Sequence, residues 1–488
     1  MPGTATDEPV DRIPRSLVTG LLAGTVFLTL LAAFSPSWIS FRSWHRAPEV
    51  FQKVIEVRRA NSVKLQVENP MSEIPDKMHK IVRFRLLVPA IGHVLHLPPD
   101  FVLAISHIGC LFTLGFLVRI GRTRGQLSWT ESALMAIVAG AGSWFFTSMG
   151  WLGYYDALLA LALLAVAFSP GILVPTIASL LTPWVDERFF VALPLAMLTR
   201  WLIDGVALGQ TPAWLKRQSI ILAPPVLVYL PLRLWLVGQY GSPTMAQYTG
   251  DLGILGESLP RILFGMWSGL RVGWILVIAA IVVLYRRKEF AQALLLATGV
   301  AATCIVGVCM ANDHSRSMAM ALPVVPLGWI LLRRSYPSER ITASWILAGL
   351  ALLLPAHQVV STFDRPVNTL WYELHALEKP PQLFDPATYI QQAAYASQAN
   401  HPLDAQTALS LALQLEPKAK DLDQVARLLT SWGRLNEARV RIDEAISLDA
   451  SKAEFWSDRA GIRERLGDTS GAAEDRVTAA RLAPPPDD

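Results

Sequence analysis

The 488-residue chain is 52% hydrophobic and 17% charged, and its mean hydropathy is +0.37. Soluble proteins carry about a quarter charged residues, so this composition excludes an ordinary soluble globular protein. Charge also divides the chain, because the segment from Phe384 onward has 17 Asp/Glu against 12 Lys/Arg whereas the whole carries a net charge of +4. We therefore expect a basic membrane domain followed by an acidic soluble domain.

The apolar segments predict a polytopic bundle of ten or eleven membrane-spanning helices over residues 17–359. Residues 1–16 are a polar tail, and 17–34 is too long for a signal-peptide core, so we predict an uncleaved first span. Residues 39–85 form a long first loop, and 86–97, which ends at Pro98 and Pro99, is too short to cross. The further candidate spans are 101–120, 133–149, 157–168, 172–183, 189–203, 220–237, 262–285, 290–310, 317–332 and 341–359.

Basic residues in the short loops predict the orientation. Loops at 119–124, 216–217, 286–288 and 333–340 are rich in Arg and Lys and share one side if the spans alternate. The positive-inside rule makes that side cytoplasmic. We therefore predict a bacterial inner-membrane protein whose first loop and C-terminal domain are periplasmic. The first loop has ten Lys/Arg against five Asp/Glu, which suits contact with anionic membrane lipid.

An internal repeat follows a linker at 360–385. Ala405, Ala438 and Ala472 recur at spacings of 33 and 34 residues, and Gly433 and Gly467 mark turns within the units. A 34-residue period with small residues at helix contacts resembles three tetratricopeptide repeats over 386–486. The resemblance implies an all-α domain that binds a protein partner; a packing module is the alternative.

Polar residues within the bundle collect on the outer side and form a candidate site. Acidic residues at the starts of three predicted helices are candidate catalytic groups: Asp156, Asp186 and Asp313. Basic residues beside them, or within apolar segments, are candidate substrate-binding groups: Arg83, Arg85, Arg188, Arg271, His314 and Arg316. Ionisable residues in membrane segments are usually functional, but a pair or a helix cap would also account for each acid.

Four short motifs in this order resemble membrane glycosyltransferases of the GT-C type. They are Arg83-Phe84-Arg85-Leu86 after the first loop, Tyr155-Asp156-Ala157-Leu158, Asp186-Glu187-Arg188-Phe189, and Asp313-His314-Ser315-Arg316. The resemblance covers about 17–359 and implies sugar transfer from a polyprenyl-phosphate-linked donor on the periplasmic face. A carboxylate would act as general base or bind a divalent cation, which is the one cofactor candidate, and arginines would neutralise the phosphate.

The sequence departs from that family after the first span. The family usually has an acid there, but here the first acid is Glu49, with Glu56 and Asp76 further on. Two alternatives therefore stay open: a non-catalytic scaffold for cell-envelope assembly, and an O-antigen polymerase-like or ligase-like protein. No His/Cys/Asp/Glu spacing indicates a metal site, and no phosphate-binding glycine loop indicates a nucleotide-driven machine. Nucleic acid is not an expected partner.

Overall fold

About 81% of the described residues are helical, in agreement with the predicted all-α class. It divides into two compact units, Met1–His375 and Ala376–Asp488. The computed structural model describes residues 14–34, 55–72, 83–241, 259–310, 313–336, 340–360, 363–376, 386–398, 402–415 and 417–483.

Seventeen α-helices and one hairpin are described before residue 367 in the first unit. The first nine helices are α1 (Arg15–Ala33), α2 (Ile55–Glu68), α3 (Leu87–Val94), α4 (Pro99–Thr123), α5 (Trp129–Gly140), α6 (Ser143–Gly150), α7 (Asp156–Phe168), α8 (Leu173–Leu181) and α9 (Arg188–Asp204). The next eight are α10 (Thr211–Pro224), α11 (Leu230–Tyr240), α12 (Leu259–Leu270), α13 (Gly273–Arg286), α14 (Phe290–Met310), α15 (His314–Ser317), α16 (Val324–Ser335) and α17 (Arg340–Leu353). Strands β1 (His357–Val360) and β2 (Phe363–Pro366) then pair antiparallel, and α18 (Leu370–Ala376) follows.

Several apolar helices are able to cross a membrane, in agreement with the predicted membrane protein. Among the described residues, four helical segments are long and apolar enough: Arg15–Ala33, Pro99–Thr123, Leu208–Tyr240 and Phe290–Cys309. Three bent pairs raise the number to seven if each is one span. This is fewer than the ten or eleven predicted, because apolar stretches such as Asp156–Phe168 form helices shorter than a full crossing.

Helix breaks account for two more differences from the predicted spans. The 262–285 segment bends by 86° between α12 and α13, at Arg271, whose φ is +51°. The 341–359 segment is helical only to Leu353, after which residues 357–360 are a strand. Pro355 explains this end, since proline has no N–H to donate and disfavours helical geometry in the residue before it.

Close backbone packing at Gly269 positions α15 beneath α12. A Cβ at Gly269 would lie 2.2 Å from Met318 Cβ and 2.7 Å from the Ser315 carbonyl oxygen. The Ser315 carbonyl also accepts a hydrogen bond from Ser143 Oγ at 2.8 Å. Helices α6, α12 and α15 therefore meet without space for a larger side chain, which fixes the segment that follows Asp313.

The second unit consists of six described helices that form three consecutive pairs. They are α19 (Pro386–Gln398), α20 (Pro402–Gln414), α21 (Ala419–Ser431), α22 (Leu435–Leu448), α23 (Ala453–Arg465) and α24 (Thr469–Leu482). Ala405, Ala438 and Ala472 are each buried on the second helix of a pair, at 2%, 0% and 0% exposure. Alanine lets the two helices of a pair approach closely, which is why these positions recur in the sequence.

Candidate functional site

Three carboxylates from separate loops meet in the first unit. Asp156 is the first residue of α7, Asp186 lies in the turn before α9, and Asp313 precedes α15. Arg316 ties them together, since its guanidinium lies 2.9 Å from Asp156, 3.7 Å from Asp313 and 3.9 Å from Asp186. The predicted catalytic residues are thus neighbours in the fold, beside the starts of three helices.

Asp156 is almost fully enclosed, at 1% exposure. Its Oδ2 accepts hydrogen bonds from Arg316 Nη2 at 2.9 Å and Nε at 3.2 Å, and its Oδ1 accepts from Arg188 Nη2. A carboxylate this deep keeps its charge only when it is paired and hydrogen-bonded. Asp156 therefore serves to anchor two arginines from different helices.

Arg85 and Arg188 bind the other two acids of the same cluster. Arg85 donates to both oxygens of Glu187, at 2.9 and 3.0 Å, and its Nη1 lies 3.0 Å from Asp186 Oδ2. Arg188 donates from its backbone N–H and its Nε to Asp186 Oδ1, each at 3.0 Å. We call the following six residues the ion-pair cluster: Asp156, Asp186, Glu187, Arg85, Arg188 and Arg316. Its three negative and three positive charges cancel.

Arginines keep Asp186 and Glu187 ionised. Burial disfavours the charge of Asp186, but Arg188 and Arg85 outweigh it and hold the pKa of Asp186 below its usual range. Burial is likewise outweighed at Glu187, where Arg85 lowers the pKa. A general base works best with a pKa near the operating pH, so neither carboxylate suits that role.

Asp313 has a different environment. Its Oδ1 accepts from Ser315 Oγ at 3.1 Å and from the Arg316 N–H at 3.0 Å, and its Oδ2 accepts from Gln358 Nε2 at 3.1 Å. Burial outweighs the charge of Arg316 and raises the pKa of Asp313. Its side chain is still 14% exposed. Asp313 is therefore both a helix cap and the acid best matched to accepting a proton.

Arg59 on α2 is a buried guanidinium that forms no ion pair among the described residues. The residue is 2% exposed, and its Nη1 is buried with no hydrogen-bond partner. Burial, and then the charge of Arg85, lower the pKa of Arg59 to about 10, so it is charged at neutral pH. Gly153 makes this packing possible: its φ is +84°, and a Cβ there would lie 2.9 Å from Arg59 Cγ. A buried charge with a free donor is costly unless an anion completes it.

Tyr154 is influenced electrostatically by both Arg59 and Asp313. Its phenol lies within electrostatic reach of both, and its ring centroid is 4.3 Å from Arg316 Cζ. Burial raises the pKa of Tyr154, so the hydroxyl is neutral at physiological pH. Arg59 and the candidate proton acceptor Asp313 therefore both act on the charge of the same tyrosine.

Two predicted binding residues, Arg83 and His314, lie outside the ion-pair cluster. Arg83 donates to the carbonyl oxygens of Met71 at 2.6 Å and Tyr240 at 3.3 Å. His314 is 1% exposed and lies under α12, where a Cβ at Gly265 would be 2.6 Å from its own Cβ. These contacts hold neighbouring segments of the chain in place.

Arg271, the third, is also separate. It donates from Nη1 to the Ala141 carbonyl at 2.9 Å and from Nη2 to the Leu354 carbonyl, and its Cζ lies 4.8 Å from the Phe34 ring centroid. Within the described ranges it has no ion-pair partner. Its contacts are those of a residue that satisfies backbone carbonyls at helix ends.

The sequence did not predict two residues of the site, Arg59 and Gln358. Arg59 is one of ten basic residues in the first loop, and nothing in the sequence separates it from Arg58. Gln358 lies in a segment that the hydropathy assigned to the last span. Of the acids that might replace the missing one after the first span, Glu49, Asp76 and the side chain of Glu56 lie outside the described residues.

A divalent cation does not fit the acids of the ion-pair cluster. Asp156, Asp186 and Glu187 all direct their oxygens at guanidinium groups. In the part of the chain that the structure describes, no group of three His, Cys, Asp or Glu side chains is placed to hold a metal ion.

Comparison of the chain with protein-family models and with curated proteins finds no match in either. The class defined by fold and site is therefore a helical protein with several apolar helices able to cross a membrane and a buried arginine–carboxylate site. Its function has to be argued from the geometry and charges of that site.

Proposed function

We propose that the protein is an integral membrane enzyme that transfers a sugar from a polyprenyl-phosphate-linked donor. The observation that carries this proposal is Arg59, a buried guanidinium left over after the ion-pair cluster has neutralised itself. Phosphate is an anion with several acceptor oxygens, and arginine is the side chain best shaped to bind it. The resemblance of the sequence motifs to GT-C-type glycosyltransferases supports the same reaction.

The proposed reaction assigns Asp313 as general base and Arg59 as the phosphate-binding group. Asp313 takes the proton of an acceptor hydroxyl as that oxygen attacks the anomeric carbon. The bond from that carbon to the phosphate oxygen breaks, and the phosphate leaves with the bonding electrons. Arg59 neutralises the charge that develops on the leaving group, and the buried setting strengthens that interaction.

The ion-pair cluster would hold the reacting groups in place and would not itself react. Arg316 is hydrogen-bonded to Asp156 and lies against the Tyr154 ring, so it holds the aromatic side chain in place. Its backbone N–H caps Asp313 at 3.0 Å. Rigid support of this kind keeps reacting groups in an attack geometry.

The three helix pairs of the second unit fit three tetratricopeptide repeats, and we assign them to recruiting a protein partner or the acceptor. Their starts at Pro386, Ala419 and Ala453 repeat at the period seen in the sequence. In this proposal the protein lies in a bacterial inner membrane, and both the repeats and the site are periplasmic, as the basic loops predict.

Binding of a polyprenyl monophosphate to the purified chain in nonionic detergent tests the anion site. Arg59→Met should weaken binding about tenfold or more, because an enclosed charge-assisted contact is lost. Lys64→Met is the matched control, since Lys64 is an exposed cation on the same helix. Equal binding by the two variants would contradict the proposal.

Sugar transfer to membrane acceptors, followed with a panel of radiolabelled polyprenyl-phosphate sugars, tests the base. Asp313→Asn should lower the transfer rate by at least about 100-fold while lipid-phosphate binding persists. Asp364→Asn, an exposed carboxylate of the hairpin, should retain activity.

A non-catalytic envelope scaffold is the second candidate. The complete pairing within the ion-pair cluster favours a scaffold, because paired charges of this kind can serve only to join helices. The scaffold would be favoured if the wild-type protein bound no polyprenyl phosphate and transferred no sugar from the panel.

A further inference from the structure

The second unit contains a group of acids that its own arginines do not neutralise. Arg427 Nε donates to Asp458 Oδ2 at 2.8 Å, its Nη2 lies 3.1 Å from Asp423 Oδ2, and Glu454 Oε2 is 4.0 Å away. Helices α21 and α23 supply these residues. We call Asp423, Asp458 and Glu454 the acidic cluster; three carboxylates share one guanidinium.

The acidic cluster runs from the interior to the surface. Asp423 is 3% exposed, and the side chains of Asp458 and Glu454 are 30% and 79% exposed. Asp423 Oδ1 is buried without a hydrogen-bond partner. An acceptor left unsatisfied at that depth is costly, so it marks a position where a donor from outside would be stabilised.

Burial together with the neighbouring Asp458 raises the pKa of Asp423 to about 7. Among the described residues, the charged groups that face Asp423 are Arg427 on its own helix and Asp458 on α23, with Glu454 at the rim. One arginine is thus too little positive charge for the set.

We propose that the acidic cluster binds a basic side chain, arginine or lysine, of a partner polypeptide. A guanidinium entering past Glu454 would meet Asp458 and could donate to the free oxygen of Asp423. The side chain of Arg427 is 53% exposed, so it has room to move aside. The net negative charge of the segment from Phe384 onward favours approach of a basic chain. This proposal concerns the second unit and does not rest on the proposed sugar transfer.

Fluorescence anisotropy tests it, with the full chain in nonionic detergent at low salt and a labelled Gly/Ser peptide carrying four arginines. The same peptide with glutamines in place of the arginines should not bind. Affinity for the arginine peptide should rise about tenfold from pH 6 to pH 8, because the ionised fraction of a group with a pKa near 7 rises about tenfold. Unchanged affinity over that range would overturn the proposal.

Asp423→Asn should weaken binding at pH 8 about tenfold and remove the pH dependence. Glu474→Gln is the control, since it removes an exposed acid from α24 and should change neither. Arg427→Gln should bind the peptide more tightly at pH 9, where the carboxylates are ionised, and misfolding would not produce that gain. Equal effects of the Asp423 and Glu474 variants, or weaker binding by the Arg427 variant, would overturn the proposal.

Discussion

Both units bury carboxylates among arginines, but they differ in the ratio of arginines to carboxylates. In the first unit the ion-pair cluster has as many guanidinium groups as carboxylates; Asp313 lies beside it within 3.7 Å of Arg316, whereas Arg59 has no ion pair among the described residues. In the second unit the acidic cluster has three carboxylates for Arg427, and the charge left over is negative, on Asp423. A cluster that neutralises itself supports the fold, whereas the excess beside it indicates the sign of a ligand's charge.

A second buried aspartate of the repeat unit shows that burial alone does not create the excess. Asp475 is 2% exposed, like Asp423, but it accepts from Arg459 Nε at 2.8 Å and Nη2 at 2.6 Å. Arg463 Nη1 is 3.3 Å away as well. Two guanidiniums serve this one carboxylate, so the number of arginines within reach separates the two sites.

The largest effect should come from breaking the self-neutralised cluster. Asp156→Ala leaves Arg188 and Arg316 buried without their shared partner, and we expect a loss of about 3–5 kcal/mol of stability. Thermal unfolding in detergent measures it, with Asp364→Ala as an exposed control. Asp156→Asn combined with Arg316→Gln should recover part of the loss. An Asp156→Ala variant with unchanged stability would show that the cluster does not stabilise the fold.

The next prediction distinguishes the packing of Arg59 from the backbone strain of a side chain at positive φ. Gly153→Ala and Gly171→Ala both place a side chain at positive φ, +84° and +70°, but only the first new Cβ meets Arg59. We expect about 1 kcal/mol for Gly171 and roughly 2–3 kcal/mol for Gly153 in thermal unfolding. Only Gly153→Ala should also weaken polyprenyl-phosphate binding. If the two variants behave alike, the packing of Arg59 has no role.

A smaller effect should appear at Asp423. Its raised pKa means that the folded state holds the proton more tightly, so its stability contribution is present below about pH 4 and is lost as the pH rises through 7. Asp423→Asn mimics the protonated form and should slow hydrogen exchange of α21 and α23 at pH 8 by about tenfold or more. The difference should shrink toward pH 4. An equal difference at both pH values would contradict the shifted pKa.

The smallest effect is the change in the free energy of unfolding expected for an exposed ion pair. Arg434 and Glu437 lie one helical turn apart with side chains 35% and 56% exposed. Solvent screens such a pair, so Glu437→Gln should change the free energy of unfolding by less than about 0.5 kcal/mol. A larger loss in thermal unfolding would mean that exposed pairs matter here as much as buried ones.

Periodic features of the sequence predicted much of the fold. Apolar segments indicated the helices that are able to cross a membrane, and the alanine spacing indicated the helix pairs. Breaks were harder to foresee, because Arg271 at φ +51° interrupts a segment that hydropathy reads as continuous. Pro355 was a visible signal for the end of α17, but the apolar residues after it extended the predicted span to residue 359.

The site was predictable only in part. Acids that begin helices are visible in sequence, and Asp156, Asp186 and Asp313 do lie together. Which of them is neutralised depends on arginines from distant segments, and sequence spacing carries no such distances. Arg59 illustrates the limit, since its significance comes from having no ion pair among the described residues, and only the folded chain shows this.

Arg271 shows how helix breaks inside an apolar bundle depend on one another. A break frees carbonyl groups that hydrocarbon cannot hydrate. One guanidinium supplies donors to the carbonyls of Ala141, just after α5, and Leu354, just after α17. These two ends of helix, far apart in the chain, therefore share one source of hydrogen bonds.

The segments that leave those two ends carry the partners of the site. Ser143, two residues beyond the first, holds the Ser315 carbonyl, and Gln358, four residues beyond the second, holds Asp313. Arg271 thus sets the starting points of both without contacting either. The hydrogen bonds that satisfy these two helix ends therefore also help to orient the Asp313 carboxylate.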